Sequence, residues 1–187
     1  MGFVIQKTCL DQLLVMESKT LFDNRGSFSR IFCENELEWI MKDRKLKQIN
    51  FSINKNIGTV RGLHFQQAPY GELKIVKCVH GAIWDVAVDI RKDSPTFLKW
   101  HSQKLSADNA LAMIIPEGFA HGFQTLEKDT KIVYFHSESY NADAQFGLNV
   151  QDRNLSINWP LPITNISKRD RDLPYIKPDF EGYSNEL

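Results

Sequence analysis

The sequence predicts an all-β chain, an antiparallel sandwich or barrel of jelly-roll type with one short helix. Three observations carry that prediction. Short runs alternating apolar and polar side chains, separated by turn signals, fill the middle of the chain. Only one segment, Glu34 to Lys45, spaces its apolar residues as a helix does. No stretch reaches the roughly 18 apolar residues of a membrane-spanning helix, so the many short strands must bury one another in two packed layers.

Residues 3 to 22 hold the short apolar runs Phe3 to Ile5, Leu13 to Met16 and Thr20 to Phe22, which read as edge strands. Asp23-Asn24-Arg25-Gly26 is a turn signal, with Asn and Gly available for positive φ. In Glu34 to Lys45 (ENELEWIMKDRK), Leu37, Ile40 and Met41 share a face, with acids first and bases last as the helix dipole favours. Gln48 to Ile53 reads as a strand and Lys55 to Gly58 as its turn. Leu73 to Val79 and Ala82 to Ile90 then alternate with period two on either side of His80-Gly81, which reads as a hairpin. Thr96 to Leu105, Ala110 to Ile115, Phe119 to Leu126 and Lys131 to Ser137 follow as strands, punctuated by turns at Leu105 to Asn109 and Pro116 to Gly118. From residue 160 to 187 the chain is rich in Pro, Asp and Lys without periodicity, and is expected to wrap over the barrel. A chain of 187 residues is read as one domain, 1–187, able to bury about 70% of its unfolded surface.

The 23 basic and 23 acidic residues cancel. That balance argues against nucleic acid and an anionic membrane as partners; any anion must be held by a local cluster, and self-association is favoured. The three cysteines, Cys9, Cys33 and Cys78, are odd in number and lack metal spacing, which points to reduced thiols and a cytoplasmic location. The start MGFVIQKTCL lacks a basic segment followed by a long apolar run, so no export signal is expected.

Gly58 to Arg91 concentrates ionisable side chains inside strand-like sequence. Lys74 and Lys77 lie in the first run; Asp85 and Asp89 lie in the second, on one face with Ala87 between them. Carboxylates on a strand that also carries Trp84, Val86, Val88 and Ile90 must be paired, hydrogen-bonded or turned to a polar cavity. The segment therefore lines a site or forms a salt-bridged barrel wall.

Of the five histidines, His64, His80, His101, His121 and His136, none stands in a His-x-His pair and no Cys supplies a missing ligand, so no metal site is expected. His80, in a turn, and His101, in a polar run, read as solvated. His64 (RGLHFQ) and His121 (GFAHGF) read equally well as hydrogen-bonded core residues or as functional ones. Arg61 precedes His64 by three residues and can offer its planar fork to an anion; Lys74 sits in an apolar strand, and Tyr134 (KIVYFHS) needs a partner if it faces inward. A His base, a Lys cation, a Tyr acid and an Arg clamp make a kit for proton transfer without metal or cofactor, although each residue alone is also explicable as structural.

The strings DNRGSF (23 to 28), QINFS (48 to 52), GTVRGLHFQ (58 to 66), ELKIVKCVHGAIWDVAVDIR (72 to 91), DSPTFLKW (93 to 100), LSADN (105 to 109), IPEGFAHGF (115 to 123), Tyr134, Tyr140 and SKRD (167 to 170) occur in one order along nearly the whole chain. In that order they resemble the nucleotide-sugar 3,5-epimerase family, typified by dTDP-4-dehydrorhamnose 3,5-epimerase. The resemblance implies a jelly roll of the cupin superfamily (a double-stranded β-barrel with few short helices), free of metal and cofactor, and a homodimer with strand exchange. It implies a nucleotide-diphospho-4-keto-6-deoxy sugar as substrate, inverted at carbon 3, carbon 5 or both, in deoxysugar or polysaccharide biosynthesis. By the same resemblance His64 is the general base, Asp170 its orienter, Tyr134 the acid on the opposite sugar face and Lys74 the cation at the ketone oxygen. Arg25 and Arg61 correspond to diphosphate or nucleotide contacts, Phe28 to another substrate contact and Gln48 and Asn50 to pocket contacts; His121 corresponds to a sugar or phosphate contact and Tyr140 to the aromatic that stacks on the base.

The chemistry agrees with those roles. A hydrogen beside a ketone is acidic because the carbanion delocalises onto oxygen, which a cation stabilises, and a neutral imidazole with a pKa near 6.5 suits its removal at cellular pH. Three positions depart from the family pattern, all in the nucleotide-contacting set: Arg30 and Gln145 stand where Glu is usual, and Arg169 where Lys is usual. Guanine presents paired acceptors to an arginine fork and thymine does not, so Arg30 suggests a GDP-linked, or failing that a CDP-linked, substrate in place of a dTDP-linked one, on a hexose or a heptose. The competing reading turns Arg30 to solvent. Three other functions compete: an epimerase of carbon 3 or carbon 5 alone, a metal-dependent cupin oxygenase, and a non-catalytic sugar-nucleotide-binding cupin. The last predicts loss of His64, Lys74, Tyr134 or Asp170, and all four are present.

Overall fold

The computed structural model describes residues 2–184. In chain order its elements are β1 (Phe3–Lys7), β2 (Leu14–Ser18), β3 (Thr20–Asp23), β4 (Gly26–Ser29), α1 (Glu34–Met41), β5 (Gln48–Asn54), β6 (Thr59–Gln66), β7 (Lys74–His80), β8 (Ala82–Asp89), β9 (Trp100–Ser106), β10 (Leu111–Ile115), β11 (Phe119–Thr125), β12 (Thr130–His136), β13 (Gln145–Gly147), β14 (Asn165–Ile166) and α2 (Lys168–Arg171). One sheet runs β1-β2-β10-β7-β12-β5 and the other β13-β6-β11-β8-β9, with β14 alongside β6; β3 and β4 form a separate hairpin. This is the jelly roll that the alternating pattern predicts.

Each strand's period of two feeds two layers. Inward residues Val76, Cys78, Met113 and Ile132 of the first sheet meet Ile83, Ala87, Leu105 and Phe123 of the second, closing one end of the barrel with apolar side chains. The outer face of the first sheet, including Met16, Ile75, Ala112 and Ile114, is covered by Leu37 and Met41 of α1. The outer face of the second, including Val60, Val86, Val88 and Ile90, is covered by Leu148, Val150, Leu155 and Tyr183 of the C-terminal segment. Covering both faces explains why β8 buries almost every residue.

The hairpin expected between Leu73 and Ile90 does not form. β7 pairs with β10 and β12, whereas β8 pairs with β11 and β9, so Gly81 carries the chain from one sheet to the other. Alternation fixes which face a residue occupies, not which strand it pairs with, and a positive-φ glycine (Gly81, φ 73) serves either connection. The helix also stops four residues early, at Met41, because Lys42 adopts φ 53. Lys42, Arg44 and Lys45 therefore fall outside the last helical turn, and Arg44 pairs instead with Glu117. Thr59–Gln66, which carries no clean alternation, is a central strand.

Two histidine and aspartate expectations are resolved. His101 is half-buried rather than solvated: its strand lies against β8 and its Nδ1 is 3.8 Å from Cys9 Sγ, and burial lowers its pKa. Asp85 and Asp89 share a face and are both fully buried. Asp89 is the wall residue, holding the Arg91 guanidinium at 2.8 Å and the Ser94 and Thr96 hydroxyls at 2.6 and 2.5 Å. Asp85 stands behind the site, where it pairs with His121.

Candidate active site

Opposite the apolar end, the inward faces turn polar and line a cavity of about 570 Å³, within the range of small-molecule sites. The second sheet contributes Arg61, His64 and Gln66 from β6 and His121 from β11. The first contributes Gln48, Asn50 and Ser52 from β5, Lys74 from β7, and Tyr134 and His136 from β12. Glu72, Tyr140, Gln145, Arg169 and Asp170 complete the lining.

The tail is stitched to the strand that bears His64. β14 pairs parallel with Thr59 and Val60, and Ser167 then starts α2, its Oγ accepting the Asp170 N–H at 3.0 Å. This places Asp170 Oδ1 2.8 Å from His64 Nε2, while Asp170 Oδ2 accepts the Gly62 N–H at 3.2 Å. Burial alone would raise the Asp170 pKa, but the hydrogen bond and charge of His64, with Gly62 and Ser167, hold it below the usual carboxylate range. An ionised acceptor at Nε2 fixes the neutral imidazole with its proton there, leaving Nδ1 as the basic atom. Gly62 lets β6 approach β11 closely: at φ 117, a Cβ here would stand 2.5 Å from Gly122 Cα.

Tyr134 stands on the other sheet. Its hydroxyl is 3.2 Å from Ser52 Oγ, and its ring packs between His121, edge-on at 6.5 Å, and His136, stacked at 6.1 Å. Burial pushes its phenol far above the ordinary range, so it keeps its proton at neutral pH. His121 Nε2 lies 2.7 Å from Asp85 Oδ1 in a fully buried pair. Burial raises the Asp85 carboxyl and lowers the His121 imidazole, favouring neutral partners. Lys74 Nζ lies 3.0 Å from Glu72 Oε1, and Glu72 Oε2 accepts from His136 Nδ1 at 2.7 Å.

Around the mouth, Arg61 Nε donates to Asn54 Oδ1 at 2.8 Å, and Gln48 Oε1 accepts the Tyr140 N–H at 3.0 Å. Gln66 holds the same loop, accepting the Asn141 N–H at 2.7 Å and donating to Ser139 O at 3.2 Å. Gln145 Oε1 is buried in the wall with no hydrogen-bond partner among the described residues. Three residues of the expected set lie away from this cavity, on or beside the β3–β4 hairpin. Arg25 pairs with Asp23 at 2.6 Å, Phe28 is exposed, and Arg30 pairs with Glu36 of α1. With Nη1 engaged by Glu36 and away from the cavity, Arg30 gives the guanine reading no support within one chain. Glu72, His136, Ser52 and Gln66 are cavity residues that sequence reasoning passed over as site members. Their only signal was a polar residue on an inward strand position or, for Glu72, just ahead of one. Among the described residues, no three of His, Cys, Asp and Glu gather as a metal site.

Burial would raise Glu72, yet the Lys74 and His136 interactions bring its pKa from 4.5 down to about 2. A depressed carboxylate stabilises the fold above its unfolded value, and the contribution disappears as pH falls from 4.5 through about 2. That gap is worth roughly 3 kcal/mol at neutral pH. Unfolding free energy measured with urea is therefore expected to fall more steeply between pH 5 and pH 2 in the natural protein than in Glu72→Gln; parallel curves would contradict the assignment.

A cupin-type jelly roll that faces a His–Asp pair and a buried Tyr across one cavity fits an enzyme class, the carbohydrate isomerases that act on nucleotide-linked keto sugars. The family model described as dTDP-4-dehydrorhamnose 3,5-epimerase matches residues 7–178, and the chain belongs to that family. It is 41% identical over 170 residues to the dTDP-4-dehydrorhamnose 3,5-epimerase of Sinorhizobium fredii, spanning 90% of this chain and 87% of that one. The solved enzyme of that name from Bacillus anthracis, with TDP and pyrophosphate bound, superposes with a TM-score of 0.90 at 38% identity, covering 94% of this chain and 100% of that one. The dTDP-6-deoxy-D-glucose-3,5-epimerase of Legionella pneumophila, in complex with dTDP-4-keto-L-rhamnose, gives 0.91 at 32% identity, covering 98% and 99%.

Proposed function

We propose that the protein inverts carbons 3 and 5 of a dTDP-linked 4-keto-6-deoxyhexose, with His64 as base and Tyr134 as acid. The observation that carries this reading is that the His64–Asp170 pair and the Tyr134 phenol stand on facing sheets of one cavity. His64 removes the hydrogen beside the ketone as a proton, and the bonding electrons pass to the ketone oxygen as an enolate that the Lys74 ammonium stabilises. The enolate collapses with transfer of the Tyr134 proton to the opposite face of the same carbon. The imidazolium then loses its proton to solvent, and the phenolate recovers one. Arg61 and Arg169 hold the diphosphate, Gln48, Asn50, His121 and Gln145 contact the sugar and nucleotide, and Tyr140 stacks on the base.

Incubation in heavy water with dTDP-, GDP- and CDP-linked 4-keto-6-deoxyhexoses, read by NMR, tests this function. Deuterium at both carbons with a dTDP preference is expected. Label at one carbon alone identifies a single-carbon epimerase, a GDP preference restores the guanine reading, and no label on any sugar overturns the function.

We also propose a homodimer in which the β3–β4 hairpin of a second copy brings Arg25 and Phe28 to the cavity. Supporting it, Phe22 and Phe28 are 79% and 64% exposed, and the outer face of β5 exposes Ile49, Phe51 and Ile53. Sedimentation is expected to give twice the chain mass, and Phe28→Ala to raise KM several-fold; a fully active monomer contradicts the dimer. The free thiols of Cys9, Cys33 and Cys78 support a cytoplasmic location, which cell fractionation tests. No helix among the described residues is long and apolar enough to cross a membrane.

A further inference from the structure

The Glu72–His136 pair lies within the cavity wall, yet the proton-transfer scheme above gives it no task. Glu72 precedes β7, and its two oxygens are divided: Oε1 takes the Lys74 ammonium at 3.0 Å and Oε2 takes His136 Nδ1 at 2.7 Å. Both cation and carboxylate are nearly withdrawn from water, with side chains 11% and 12% exposed. His136 is the residue paired with Lys74 across the β12–β7 ladder and stands two positions after Tyr134, on the same inward face. Its ring stacks on the phenol at 6.1 Å, and its Nε2 lies 3.4 Å from Asn50 Nδ2.

We propose that Glu72 is the positioning residue of the enolising wall: its carboxylate fixes the Lys74 ammonium and, through His136, the orientation of the Tyr134 ring. An ammonium this withdrawn from water, without a counter-ion, would swing to solvent, which removes the charge from the ketone oxygen. A carboxylate also opposes that charge, but a cation held at the wall stabilises an enolate better than one that is elsewhere. His136, with its Nδ1 proton given to Glu72, presents Nε2 as an acceptor and orders Asn50 beside it. Two catalytic groups from adjacent strands thus share one anchor. The inference rests on the epimerase reading.

Glu72→Gln tests it, because the amide keeps the size and can still accept from His136 but no longer offers Lys74 a charge. With the dTDP-linked keto sugar, kcat is expected to fall roughly 10- to 100-fold, less than the roughly 10²- to 10³-fold typical of deleting an oxyanion donor itself. KM and calorimetric binding of dTDP should stay within about threefold, and deuterium exchange at both carbons should slow by the same factor. In a Lys74→Ala background the same substitution should cost less than about twofold, since the partner it positions is gone. Natural kcat in Glu72→Gln, an increase in kcat, a loss that follows dTDP affinity, or a full additional loss on the Lys74→Ala background would each overturn the proposal. Failure of the epimerase reading is separate: it shows as no turnover by the natural protein.

Discussion

Replacing His64 by asparagine is expected to lower kcat/KM by about 10²- to 10⁴-fold and to stop deuterium entry at both carbons. The tail sets up the base: Ser167 caps α2, Asp170 reaches Nε2, and the lone pair at Nδ1 is left to take the proton. Asparagine keeps a polar group near Asp170 but has no nitrogen basic enough to take a proton beside a ketone. The nucleotide contacts are untouched, so dTDP binding by calorimetry should change little. Exchange at the natural rate in this variant would remove His64 from the mechanism.

Tyr134→Phe is expected to leave the base working and to separate removal of hydrogen from inversion. The phenol keeps its proton because burial disfavours the phenolate, and Ser52 orients it. Without it the enolate still forms at the His64 face and is reprotonated there, so recovered substrate gains deuterium while its configuration is kept. Inverted product should fall by about 10²- to 10⁴-fold. A variant that lost exchange and inversion equally would mean that Tyr134 takes part in removing the hydrogen, against the assignment.

How much of this was readable in the sequence depends on the distance over which each signal acts. Period two in Ala82 to Ile90 correctly placed Asp85 and Asp89 on one buried face, because side-chain direction is a local property. It could not show that β7 and β8 enter different sheets, since pairing is decided by contacts far along the chain. The same limit hid Glu72 and His136, separated by 64 residues and brought together by the pairing of β7 with β12. Family resemblance supplied Asp170, 106 residues from His64, which no spacing argument reaches. Arg30 shows the converse: its residue type suggested a nucleotide contact, and only the fold shows its charge taken up by Glu36.

In the proposed mechanism hydrogen leaves toward one wall of the cavity and returns from the other. A single turnover of the natural protein in heavy water, with the inverted sugar analysed by mass, tests it most directly. The two-walled cavity predicts one solvent deuterium at each inverted carbon and no substrate hydrogen carried over. Product that retains its original hydrogen at an inverted carbon would require one group to remove and return it, and would contradict the account.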